Sequence, residues 1–415
     1  MAANNRIFYA CQAVAMKPMA GTNAEYKVAH GVQSVGITTN FNLEQAFELG
    51  QIQIYENIEG LPDVEVTMEK LLDGYPLLYH LASQKAESAG LVGRSKPRAD
   101  VALGIYSDGQ DSINDNQTKP STTVFMSGMY INSISYTVPV DGNATESITL
   151  VGNHKEWISW PDSNPDTDLK TFDTDHTNID GQAFGANNSG PVAPHLRDGT
   201  TDSPLALAGG SGGVQRRENV MLDRSIMPLS LLGNLHGVIN AGSSQAYSDT
   251  GNVYDDANKV PLVHLQNFSV STDFGREDIL ELGRKAPYHR PANFPIEVTT
   301  EIEAIAVSGD FIGAYETGDP DLFNTNASGD STAEEGILLT LRGGIMFDCG
   351  FNNRLSSVSY GGGDATGGNA TISYSYTNFN DLDVKQLGHN DSGVMGFKDT
   401  DAASYFKATD SENSP

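Results

Sequence analysis

Apolar and polar residues alternate with a period of two along several stretches of this 415-residue chain, the spacing that turns one side of a β-strand to a core and the other to solvent. Val32-x-Ser34-Val35-x-Ile37 alternates loosely and Val64-x-Val66-x-Met68 strictly; Leu265-x-x-Phe268-x-Val270 and Ile296-x-Val298 show the same habit late in the chain. Longer alternating arms, 130–140 with 147–151 and 355–360 with 371–376, predict two hairpins. Two stretches break the period. Asn42 can cap a helix, Ala46 and Phe47 give it an apolar face and Gly50 ends it; a second short helix is predicted from Asp273 or Gly275 to Gly283, with Ile279 and Leu280 as its apolar positions.

These elements recur in the same order because the chain resembles itself. Residues 32–62 align without gaps to 265–295 and share Gln33/Gln266, Thr39/Thr272, Phe41/Phe274, Glu44/Glu277, Glu48/Glu281, Leu49/Leu282, Gly50/Gly283, Tyr55/Tyr288 and Pro62/Pro295. Unrelated segments of this composition would share roughly two. After a one-residue slip, Glu65-Val66-Thr67-x-Glu69 matches Glu297-Val298-Thr299-x-Glu301. Ser133-Ile134-Ser135-Tyr136 resembles Ser357-Val358-Ser359-Tyr360, and Gly142-Asn143-Ala144-Thr145 recurs as Gly368-Asn369-Ala370-Thr371, with the longer spacer of the second copy at a hairpin tip, where insertions are tolerated. The expectation is a mainly β chain of two tandem β-sandwich or open-barrel modules, 1–159 and 259–388, each with one short helix. Residues 160–258, rich in Asp, Asn, Gly, Ser and Pro, read as a loop-rich insertion or small subdomain, and 389–415 as a flexible polar tail.

Charge narrows the function classes. The 53 acidic against 25 basic residues give a net charge of −28, which argues against binding duplex DNA through its phosphates and suits a surface that nucleic acid passes without sticking. Cys11 and Cys349 lie far apart in apolar surroundings, form no CxxC pair, and read as small core residues of a chain folded in a reducing cytosol. Residues 1–20 lack a basic start followed by an uninterrupted apolar run, so no signal peptide is expected, and no stretch approaches the roughly 18 apolar residues of a membrane span.

Motifs with chemical potential are weak. Gly209-Gly210-Ser211-Gly212-Gly213 matches GxSxG formally, but its surroundings lack the strand and helix that a nucleophile elbow needs, and no Lys-Ser/Thr follows to make a phosphate loop. Asp162-x-Asn164-x-Asp166-x-Asp168 spaces oxygens as a calcium loop does, yet Thr167 stands where Gly is required and Asp173 where Glu is required, with Asp175 and His176 just beyond. His154, near Trp157 and Trp160, reads as a hairpin end with packed aromatics; His264 and His289 lack partners at zinc-like spacing. Asn143 and Asn369 stand in Asn-x-Thr sequons at predicted tips, where turn chemistry suffices. Arg276, Arg284 and Arg290, beside Glu277, Asp278 and Glu281, are expected to form internal or inter-subunit ion pairs. No catalytic, cofactor-binding or metal residue is assigned, no cofactor is expected, and the chain is not expected to be an enzyme.

The run Phe274-Gly275-Arg276-Glu277-Asp278-Ile279-Leu280-Glu281-Leu282-Gly283-Arg284, with Tyr288 and Phe294-Pro295-Ile296-Glu297-Val298-Thr299, resembles the tail tube proteins of bacteriophages, as does Phe41 to Gly50 leading into Asp63-Val64-Glu65-Val66-Thr67-Met68-Glu69-Lys70. The resemblance implies a β-sandwich with a flanking helix whose copies pair edge to edge into rings, the rings stacking into a virion tail tube through which DNA leaves the capsid. Most members carry one module and form hexamers. Two modules imply a trimer with pseudo-sixfold symmetry, assembled in the host cytoplasm. The implied partners are a tape-measure protein, baseplate or tail-tip proteins, a terminator, and a sheath if the tail contracts. A contrasting expectation is an acidic β-sandwich adhesin or fibre protein that binds cell-surface glycans.

Overall fold

A computed structural model of the chain describes, apart from breaks of one to four residues, residues 7, 9–19, 26–106, 120–159, 214–223, 259–306 and 336–386, with the pairs 178–179 and 182–183. The strands of its first part are β1 (Gln12–Pro18), β2 (Lys27–Val28), β3 (Val32–Phe47), β4 (Ile54–Leu71), β5 (Ala99–Ile105), β6 (Thr122–Pro139), β7 (Thr145–Gly152) and β8 (Glu156–Ser159). A small ribbon follows, β9 (Asn178–Ile179) with β10 (Gln182–Ala183). The later strands are β11 (Val220–Asp223), β12 (Lys259–Pro261), β13 (Leu265–Asp273), β14 (Glu297–Ile305), β15 (Leu338–Leu341), β16 (Ile345–Asp348), β17 (Arg354–Gly361), β18 (Thr371–Phe379) and β19 (Asp383–Gln386). The helices are short, α1 (Leu78–Ala82) and α2 (Leu91–Arg94). The fold is mainly β, as the alternation predicts, and its paired strands are antiparallel throughout.

Eight strands run side by side in the order β3-β4-β7-β6-β13-β14-β18-β17. One face is apolar: Val64, Val66 and Met68 of β4, Ile148 and Leu150 of β7, Phe268 and Val270 of β13, and Tyr374 and Tyr376 of β18 all lie in one continuous core. Two smaller sheet regions pack beneath it, β2-β1-β5 with the first half of β6 and β8, and β12-β11-β15-β16-β19. β6 serves both layers. Its first half pairs β5 and β8, its second half pairs β7 and β13, and between them Gly128 takes φ +70, with its N–H and the Ser127 hydroxyl both donating to Asp100. A strand that turns a corner between layers needs such a residue, since a side chain there would strain the backbone.

Three expectations meet differences here. The helix expected from Asn42 to Gly50 is absent: β3 continues to Phe47 and pairs with β4 from Ile54, forming a long hairpin arm, while Asn42 Nδ2 donates across it to the Leu61 carbonyl and Asp63. A nine-residue helix without tertiary cover is marginal, whereas the arm extends a ladder that β3 and β4 have already begun. The second expected helix is likewise a hairpin arm, closed by the bridge between Ile279 and His289. Gly50 and Gly283, expected as helix stops, instead turn the arms with φ +95 and +86. The third difference concerns the expected insertion, since β11 falls within 160–258 yet pairs with both β12 and β15. Ser211, the acidic loop from Asp162 to His176, Trp160 and the tail from 389 lie outside the described residues.

Candidate assembly surface

The uncovered face of the eight-stranded sheet is polar by alternation. Glu65, Glu69, Asp273, Glu297, Glu301 and Glu303 project from it among serines and threonines such as Thr67, Ser147, Ser135, Ser271 and Ser375. The eight strands contain two basic residues; Lys70 is turned into the core and Arg354 stands at the start of β17. A face with no apolar stripe has no reason to bury itself against another layer, and its carboxylates repel phosphate.

The two halves of this sheet correspond in register. Thr39 faces Val64 as Thr272 faces Val298, and Val64 faces Gly152 as Val298 faces Asn378, so the ladder superposes Val64 rather than Val66 on Val298 and places the expected match of Glu65–Glu69 with Glu297–Glu301 two residues out of register. Ser133 faces Thr149 as Ser357 faces Ser375, and the register slips just before each, between Ile131 and Ser133 and between Leu355 and Ser357. The residues entering the first strand of each half, Gly31 and His264, share a left-handed φ of 77 and 71, and each accepts a backbone bond from the strand opposite. The halves meet at a seam where β6 pairs β13, Ile134 facing Thr272 and Ser135 facing Ser271.

The second arm folds back over this seam. Phe274 is 0% exposed and its N–H donates to the Asn132 carbonyl. The Arg276 guanidinium reaches the carbonyls of Ile131 at 2.7 Å, Ser95 at 2.6 Å and Arg290 at 3.0 Å, and lies 4.8 Å from the Tyr130 ring; burial holds its pKa down to about 10. Arg290 grips Asp278 with two bonds and touches Asp63 at 3.2 Å, while Arg284 and Glu281 form a looser exposed pair at 3.7 Å. Arg284 and Arg290 thus make internal ion pairs, whereas Arg276 is held by backbone carbonyls. His289 Nδ1 is 3.3 Å from the Tyr130 hydroxyl, and His154 stands edge-on to Phe125. Asn143 accepts a bond from Arg216 Nε. Cys11 and Cys349 are buried free thiols in separate clusters.

Sequence reasoning misses a buried polar knot beneath the sheet. Glu146 is fully buried on β7 and accepts the N–H groups of Leu78 and Tyr79 at the start of α1, at 2.7 and 2.9 Å, and the Tyr136 hydroxyl at 3.1 Å. Burial raises its pKa, and the three donors and Lys70 oppose that rise. The signal available in sequence was a glutamate at an inward position of an alternating strand. A second knot joins Lys70, which donates to the His30 carbonyl and Asp73 at 2.7 Å each, to the ring of His30 stacked on Tyr75. Burial first, then the Lys70 charge, lowers the His30 pKa from 6.5 to about 4, with Asp73 opposing. The unfolded imidazole therefore takes up a proton that the folded one refuses between those values, so stability is full above pH 6.5, falls as the pH drops toward 4, and levels off below. The loss is at most about 3 kcal/mol. Urea midpoints at pH 7 and pH 4.5 should differ less in His30→Gln than in the unaltered chain.

Among the described residues no group of three or more His, Cys, Asp or Glu side chains is placed to hold a metal ion, and no helix is long and apolar enough to cross a membrane. No family model and no curated protein matches the sequence. Solved structures similar to parts of this chain include the tube-terminating cap of the anti-feeding prophage, at 12% identity over 39% of this chain and 95% of that one with a TM-score of 0.27. The baseplate of the same particle gives 12% identity over 38% and 98%, TM-score 0.28. The sheath–tube complex of an extracellular contractile injection system gives 15% over 38% and 94%, TM-score 0.26.

Proposed function

We propose that this protein is the tube subunit of a bacteriophage tail, in which copies join edge to edge into rings and the rings stack around a bore that conducts DNA. The observation that carries the reading is the eight-stranded sheet: apolar on one face, acidic and hydroxyl-bearing on the other, and, among the described residues, open at both ends, at β3 and β17. An open strand edge is a template for another chain, and head-to-tail pairing of one edge with the other generates a closed ring when the rotation closes. Bending the sheet with its polar face inward lines the bore with carboxylates, past which phosphates slide without adhering.

The corresponding registers of the two halves support a duplicated module, so three chains supply the six modules of a pseudo-sixfold ring. A tape-measure protein inside, baseplate or tail-tip and terminator proteins at the ends, and a sheath outside if the tail contracts are the partners such a tube requires. Negative-stain micrographs of the purified full-length chain test the reading. The expected result is rings or short tubes with a central bore and six lobes, formed without added metal. A chain that stays monomeric at every concentration tried, or forms only solid aggregates, overturns it.

A further inference from the structure

We infer that the joint between neighbouring copies repeats the seam inside one copy: β3 of one chain pairs antiparallel with β17 of the next, Thr38 opposite Ser359 and Ile37 opposite Tyr360. The inference rests on the tube reading and specifies its partner, a second copy of this chain, and the register in which that copy docks.

The seam supplies the template. In the correspondence set out above, β13 is the counterpart of β3 and β17 the counterpart of β6, so the β6–β13 pairing, with Ser135 facing Ser271 and Tyr136 facing Val270, translates directly into a β17–β3 pairing. Among the described residues each of these two outer strands is laddered on one side, β3 to β4 and β17 to β18.

Burial gives the second argument, because residues that are alike in the two places differ in cover. Phe274 is 0% exposed at the seam, whereas its counterpart Phe41 is 69% exposed. Tyr136 is 0% exposed, whereas Tyr360 is 67% exposed. Phe268 and Val270 are buried where Val35 and Ile37 are half-buried, and Ile131 and Ile134 are buried where Leu355 and Val358 are half-buried. Every one of these deficits lies on the core-facing side of β3 or β17, where a partner in the seam register would cover it. The Phe41 N–H then meets the Ser356 carbonyl as the Phe274 N–H meets that of Asn132 at 2.8 Å. The joint differs from the seam in one respect. The clamp made by Arg276 on backbone carbonyls and by Arg290 on Asp278 has Leu43, Asn57 and Gln45 at the corresponding positions, so the joint depends on strand pairing and apolar contact.

Cysteine pairs read the register. In the seam, Phe274 is hydrogen-bonded to Asn132 and Val140 to Gln266; by alternation Ser271–Ser135 and Asp273–Ser133 are non-hydrogen-bonded pairs, whose side chains approach most closely. Their joint counterparts are Thr38 with Ser359 and Asn40 with Ser357. Within one chain these partners are separated by the width of the sheet, about 33 Å, far beyond the reach of a disulfide, so any bond is intermolecular. The native thiols are buried, and burial raises that of Cys349 to about 12, which keeps the background low. Mild oxidation of assembled full-length Thr38→Cys/Ser359→Cys, and separately of Asn40→Cys/Ser357→Cys, should convert most of the chain to linked oligomers that reductant returns to monomer. The displaced pair Ser34→Cys/Ser359→Cys should give less than a tenth of that yield. If rings are present in micrographs but the displaced pair links and the matched pairs do not, the register is wrong and the tube reading stands. If the unaltered chain forms no rings and no pair links, the tube reading itself falls.

Discussion

Phe41→Ser raises the concentration needed for ring assembly by roughly 30-fold or more, the scale of losing a buried aromatic anchor at an interface, and leaves the folding of the single chain within about 0.5 kcal/mol of its starting value. Phe274→Ser does the opposite: it costs about 3–5 kcal/mol of stability and depletes assembled material because less folded chain remains. The two residues occupy aligned positions, Phe41 within β3 and Phe274 directly after β13, and each of these strands begins after a left-handed residue. Their difference is cover, 69% exposure against 0%. Urea midpoints of the unassembled chain, with sedimentation across a concentration series, separate the two effects. Equal loss of stability in both variants would show that Phe41 already has a structural role within its own chain, and equal assembly of Phe41→Ser and the unaltered chain would show that no partner covers it.

The second large effect concerns Glu146. Alanine there leaves two buried N–H groups at the start of α1 and the Tyr136 hydroxyl without their acceptor. Each orphaned donor costs about 1–3 kcal/mol, so the expected loss is roughly 3–5 kcal/mol once partial relaxation is allowed. Glu146→Gln keeps the shape and one acceptor oxygen and should cost about 1–2 kcal/mol. Because burial raises the Glu146 pKa, its folded form holds a proton more readily than its unfolded form. Its contribution is therefore fullest below the ordinary glutamate range and is lost as pH rises through the folded value, a slope that Glu146→Gln removes. Ile372, the corresponding residue of the second half, is buried and apolar. The same strand position thus carries different chemistry in the two halves, and an ionic knot is not required merely to build the sheet.

Much of the sheet was legible in the sequence. The alternation in 64–68, 130–140 and 371–376 lies on observed strands, since a half-buried strand records its two faces in consecutive residues. Gly50 and Gly283 are legible as terminators, but of helices; in the structure they turn strand arms. The reason is physical. Over nine residues, Leu43, Ala46 and Phe47 satisfy a helical period, and the evidence against a helix lies in the ladder offered by residues 54–63, which a local reading cannot weigh.

The sequence by itself determined the alternating stretches of β3, β4, β6, β7, β13, β14, β17 and β18, the two hairpins made by β6 with β7 and β17 with β18, and the self-resemblance, because these depend on neighbours along the chain. Tertiary structure decided that β6 passes through two layers, that the halves are joined by β6 and β13, and that β3 and β17 are left as outer strands. It also decided that one of two aligned phenylalanines is covered and the other is not. Burial and edge exposure are properties of what lies alongside a strand, and the strand that lies alongside is brought there by pairing across more than a hundred residues of chain, which no local pattern of side chains encodes.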